Sequence, residues 1–130
     1  MQDDLGKLVL RLTVGALLLF HGVHKMLTGI APIEAMVVAH NLPAALAYGV
    51  YIGEIVAPIM VILGLFARIG AVLIVIDMIV AVALAGLGSI AGFAPSGGYA
   101  LELEAFYLFG ALSIALVGAG GISIAGGRWN

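Results

Sequence analysis

The sequence predicts an all-α fold, an integral membrane four-helix bundle with both termini on the inner side. Three observations lead there. Of 130 residues, 64% are apolar, against about 45–50% in an ordinary soluble domain. Only 9% are charged, where roughly 25% is usual, and mean hydropathy is +1.26. The apolar residues also fall into long runs separated by glycine, proline or charge. Five Lys+Arg and seven Asp+Glu leave too little polar surface to cover a water-soluble globule. The same figures exclude a disordered chain, which needs high charge and low hydrophobicity. The length suits a single membrane domain, residues 1–130.

The first run extends from about Leu5 to Met26. It opens on Asp3–Asp4 and closes on His21-Gly22-Val23-His24-Lys25, without the basic start and small-residue cleavage site of a signal peptide. A retained membrane helix is expected. A polar interval from Thr28 to Pro43 follows, whose middle, Ile33 to Val38, suits a short interfacial helix. The second span is expected over about 44–66, with a tight Ala67-Arg68 connection to the third, about 69–87. Gly86, Gly88, Gly92, Pro95 and Gly97-Gly98 mark a loop. The fourth span is expected over about 99–117, before Gly118, Gly120 and Gly121 break the pattern. Each run approaches the ~20 residues that cross ~30 Å of hydrocarbon, and runs this long are helices rather than barrel strands.

Orientation follows from Lys and Arg placement. Four spans put both termini and the second connection on one side, with Lys7, Arg68 and Arg128, while Lys25 lies on the other. An inner-membrane, multi-pass protein with N-in, C-in topology is expected, its other contacts being with membrane lipid. Trp129 and the Tyr48, Tyr51 and Tyr99 group suit interfacial belts. No basic stripe for nucleic acid is present. Cysteine is absent, which removes disulfides, thiolate metal sites and iron–sulfur ligation from this chain.

Chemistry is expected where charge enters the bilayer, since each such group costs at least about 2.5–3.5 kcal/mol and must face protein or water. The residues concerned are Arg11, Lys25, Glu54, Asp77, Glu102 and Glu104, with His21 and His24. On the wheel of the first helix Lys25 lies about 40° from Arg11 and His21 about 80°, with Gly15 and Gly22 on the same face, which makes a polar seam. Glu54 stands four residues before Pro58, whose missing amide frees the Glu54 carbonyl, and Tyr51 is one turn away. Asp77 is near the middle of the third helix. An Arg11–Glu54–Asp77 network is expected, either architectural or functional. Glu102 and Glu104 suit the first-turn dipole of the fourth helix or a second polar cluster with His21, His24 and Lys25. The His-x-x-His spacing alone is a weak metal signature, and no metal site is expected.

The Arg11…His21-Gly22-x-x-Lys25…Glu54…Gly64-Leu65-x-x-Arg68 string, with the Asn41-Leu42-Pro43 turn, Asp77 and Gly118-Ala119-Gly120, resembles the DoxX family of small four-helix membrane proteins. The resemblance covers almost the whole chain. It implies a link to quinol oxidase or thiosulfate:quinone oxidoreductase assemblies, and so to quinone chemistry. The loop over Gly86 to Gly98 is poor in polar side chains, which disfavours a thiosulfate-type donor site.

The leading expectation is a redox-accessory subunit that binds a quinone or similar amphipathic molecule, with no covalent cofactor. Electrons would come from a redox partner or soluble donor, because the chain has no haem pair or nucleotide motif. Glu54 and His21 are the candidate catalytic residues. Arg11, His21, Lys25, Tyr51, Glu54, Asp77, Glu102 and Glu104 are the candidate binding residues. The alternatives are a non-catalytic scaffold or assembly factor, whose polar seam only fixes the fold, and a small transporter or channel subunit. The last would need a homo-oligomer, since four spans without an inverted repeat make a poor transporter alone.

Overall fold

Five helices carry the chain in a computed structural model that describes residues 1–130. They are α1 (Gln2–Thr28), α2 (Ala31–Ala39), α3 (Ala44–Leu63), α4 (Ala67–Ser89) and α5 (Glu102–Val117). No strand forms, because long apolar runs satisfy their amides most completely within a helix. The helices α1, α3 and α4 are each long and apolar enough to cross a membrane. α5, at 16 residues, measures about 24 Å and packs antiparallel along α4.

The short helix expected around Ile33 to Val38 is α2, with Pro32 in its first turn, where the missing amide costs nothing. Two boundaries differ from expectation. α3 stops at Leu63 and α4 starts at Ala67 because Gly64 (φ +70°) and Phe66 (φ +49°) both take the left-handed conformation, reversing the chain between them. α5 begins at Glu102 because Tyr99 is drawn into an isolated antiparallel bridge with Phe93, closing the glycine-rich loop.

The interior is built on Leu18, Val61, Ile74 and Ile114, with Ala57, Ala71 and Ala111 where helices approach closely. The exterior is apolar too: Phe20 and Phe106 are 72% and 77% exposed. Such an outer surface is stable only against lipid or another apolar phase. In hydrocarbon, helices associate through small residues and packing rather than through hydrophobic driving force, and α1 follows that rule. A Cβ at Gly15 would meet the Ile62 side chain at 2.6 Å, and one at Gly22 would strike the Glu54 carbonyl.

Residues 118–130 fold back against the end of the bundle that holds the N-terminus. The Arg68 amide donates to the Trp129 carbonyl (3.0 Å), Ala67 N–H to Asn130 Oδ1 (3.0 Å) and Gly121 N–H to Asp4 Oδ1 (2.8 Å). This tail joins the starts of α1 and α4 to the end of α5.

Candidate functional site

The site grows from Pro58. Its ring nitrogen cannot donate to the Glu54 carbonyl, and α3 widens just before it into a π turn over Ile52–Val56, in which the Ala57 amide reaches back to Ile52. Turns of this kind concentrate at functional positions. The freed Glu54 carbonyl faces Gly22 across the interface, and only a residue without a side chain admits that approach. Glu54 is 3% exposed, and its carboxylate accepts a hydrogen bond from Lys25 Nζ, forming an ion pair between α1 and α3. Tyr51 donates its hydroxyl to the Lys25 carbonyl (3.3 Å), a second tie at the same level.

Asp77 of α4 lies against Gly53, where a Cβ would come within 2.5–2.8 Å of its carboxyl group. Its Oδ2 is buried without a hydrogen-bond partner. A buried carboxyl oxygen left unpaired costs about 1–3 kcal/mol or more, a cost that the packing around Asp77 must offset.

These groups share an open cavity of about 570 Å³ bordered mainly by α2, α3 and α4. Lys25, Glu54, Asp77 and Glu104 are its charged members, and fourteen of its twenty lining residues are apolar. Met36 and Val37 of α2 and Leu84 of α4 furnish walls that sequence reasoning did not single out. The volume falls in the range of small-molecule sites, which are mostly apolar with a few placed polar groups.

Arg11 corrects the expected Arg11–Glu54–Asp77 network. The residue is 1% exposed, and its guanidinium pairs with no carboxylate. It donates instead to four backbone carbonyls: Nε to Val61 (2.9 Å), Nη2 to Ile62 (3.0 Å), and Nη1 to Ala119 (2.8 Å) and Ile122 (2.7 Å). Two of these belong to the last turn of α3, where carbonyls run short of helical partners, and two to the folded-back tail. The guanidinium fork matches that geometry. Arg11 is thus a structural node, about four turns from Lys25 along α1.

The remaining candidates divide. His21 is exposed and packs edge-on against Tyr107 (ring centroids 5.7 Å apart), outside the cavity lining. Tyr107 is itself buried. His24 is exposed. Glu104 reaches the cavity, whereas Glu102 is exposed, with its carboxylate beside Gly98 in the preceding loop. Tyr51 packs beside the Ile30, Val37 and Ala47 cluster next to the cavity. Nowhere do three His, Asp or Glu side chains converge in a way that would hold a metal ion. The Gly49-x-x-x-Gly53 pattern splits as well: a Cβ on Gly49 would meet nothing within 4 Å, while Gly53 backs onto Asp77.

The DoxX family model matches residues 6–87, from α1 through most of α4. No curated protein and no solved structure matches the chain.

Proposed function

The chain belongs to the DoxX family, and from that premise we propose that it is a membrane subunit that binds a quinone or a similar amphipathic ring molecule in the cavity between α2, α3 and α4. On this reading it spans the inner membrane four times with both termini inside, and serves a redox partner subunit or a second copy of itself. The observation that carries the proposal is the cavity itself, with apolar walls and an ammonium–carboxylate pair set into one side.

The residues fit such a guest. A ring with opposed carbonyls needs a donor at one end and apolar surface along its body. Lys25 has three N–H donors, of which Glu54 takes one, so the ammonium retains donors at the cavity wall. Asp77 and Glu104 add carboxyl groups that accept a hydrogen bond when ionised and donate one when protonated. Met36, Val37 and Leu84 offer apolar surface along the body of the ring. When bound, a quinone supplies reversible two-electron, two-proton chemistry, and Glu54, Asp77 and Glu104 supply proton-carrying groups along the same cavity.

Equilibrium dialysis of a decyl-tailed benzoquinone against the full chain in neutral detergent tests this. Saturable binding at one site per chain is expected, weakened about tenfold or more in Lys25→Gln, since a hydrogen bond from a charged group contributes about 1.5–3 kcal/mol. Partitioning that never saturates, or equal affinity in Lys25→Gln, rejects the reading. The scaffold reading draws its support from Arg11, a buried charge engaged wholly by the protein's own backbone. It gains if the quinone does not bind and a partner protein is lost from the membrane with Arg11→Leu.

A further inference from the structure

A second concavity, of about 640 Å³, lies at the opposite end of the molecule, between the start of α4, the end of α5 and the tail. It is lined by Arg68, Ile69, Val72, Ala115, Arg128 and Trp129. We infer that it holds the headgroup of an anionic phospholipid, with the phosphate between Arg68 and Arg128 and the first part of an acyl chain along Ile69 and Val72.

Three observations carry this. The lining contains two guanidinium groups and no acid, and neither arginine forms an ion pair anywhere in the molecule. Two uncompensated cations at one spot on a membrane protein attract an anion from outside the chain. Arg68 commits Nη1 to the Ala115 (2.9 Å) and Leu116 (3.0 Å) carbonyls at the end of α5, while its Nε is buried with no partner. Its position is therefore fixed and its hydrogen-bonding capacity incompletely used. Arg128 lies 5.0 Å from the Trp129 ring centroid, and the Arg68 N–H···O=C Trp129 bond pins this part of the tail opposite Arg68.

The choice of a lipid over a free anion rests on the walls. Ile69 and Val72 are exposed and continue the apolar outer face of α4, so an occupant of the concavity meets hydrocarbon on leaving it. Basic pockets between membrane helices at the Lys/Arg-rich face select anionic headgroups, and tryptophan favours the same interfacial level.

Trp129 is the sole tryptophan, which gives a direct readout. The full chain in neutral detergent is titrated with brominated phosphatidylglycerol and, separately, with brominated phosphatidylcholine of the same acyl chains, following quenching of Trp129 fluorescence. Phosphatidylglycerol is expected to reach half-quenching at a roughly thirtyfold lower mole fraction, the preference two arginines provide. Arg128→Gln, at an exposed side chain that makes no hydrogen bond to the fold, is expected to cut that ratio roughly fivefold. Comparing the two lipids within each variant cancels any change in the tryptophan's own brightness. Equal quenching by the two lipids, or an unchanged ratio in Arg128→Gln, overturns the inference. So does displacement of the bromolipid by excess inorganic phosphate, which would assign the arginine pair to a free anion. Failure of phosphate to displace it supports the lipid.

Discussion

Arg11 and Lys25 stand on one face of one helix, about four turns apart, and the protein treats them in opposite ways. Arg11 is sealed off, with four of its five N–H donors taken up by backbone carbonyls. Lys25 is tied to Glu54 but borders a cavity, beside a carboxyl oxygen of Asp77 that has no partner. The contrast separates two reasons for carrying charge in a membrane helix. A charge whose hydrogen bonds all end on the protein's own backbone holds the fold together. A charge that keeps spare donors next to empty space is equipped to meet a guest. Depth in the bilayer does not distinguish the two; the use made of each donor does.

The largest test of that contrast is Arg11→Leu. The change removes the charged donor from the Val61, Ile62, Ala119 and Ile122 carbonyls, of which Val61 keeps the Gly64 amide, a loss on the order of 5 kcal/mol, comparable with the whole stability of a small domain. The tail should detach, and the protein should lose its monodisperse peak in size-exclusion chromatography. Arg11→Lys retains the charge without the planar fork and should fall between. A fully stable Arg11→Leu would end the distinction drawn here. Gly22→Ala comes next. Its methyl group collides with the Glu54 carbonyl and should cost about 1–3 kcal/mol, as overpacking generally does. Gly49→Ala, where a Cβ meets nothing, should change thermal stability by less than about 0.5 kcal/mol.

Much of the cavity was legible beforehand. Lys25, Glu54, Asp77 and Glu104 stood out because charge is rare in so apolar a chain, and Pro58 marked where α3 departs from regular geometry. What misled was the helical wheel, which reports direction but not height. Arg11 and Lys25 share a face, yet fourteen residues put them about 21 Å apart along the axis. Gly22 meets Glu54 and Gly15 meets Pro58 and Ile62. Carrying that antiparallel register back to Arg11 places it level with the end of α3, out of reach of Glu54. The register is fixed by glycine contacts between helices, which a single sequence does not display. His21 shared the same stripe, but the chain packs it on Tyr107 of α5. The tail was illegible for a related reason. Its bonds join backbone amides and carbonyls to a few scattered side chains, Asp4, Ser123 and Asn130, which leave no periodic trace.

Within the cavity, Glu54 and Asp77 sharpen the comparison further. Glu54→Gln removes the charge that balances Lys25 and should destabilise the protein by about 1–3 kcal/mol, read as a lowered thermal midpoint. Asp77→Asn changes a carboxyl group that makes no hydrogen bond through its buried Oδ2, and its stability effect should stay within about 1 kcal/mol. If the cavity is a binding site, the order reverses in one respect: Asp77→Asn should alter quinone affinity although it barely moves stability. A stability loss from Asp77→Asn as large as that from Glu54→Gln would make Asp77 a second structural node like Arg11.

The smallest effect is the most discriminating, because it compares two glutamates two positions apart at the start of one helix. Glu102 and Glu104 are equally placed to favour the α5 dipole, so replacing either with glutamine should change stability by no more than about 0.5 kcal/mol. Only Glu104 lines the cavity, while Glu102 faces the Gly98 loop. Glu104→Gln should therefore weaken the decyl-tailed benzoquinone in equilibrium dialysis, and Glu102→Gln should leave its affinity unchanged. Equal effects of the two variants on binding would mean that the helix dipole or general surface charge, rather than the cavity wall, governs the response.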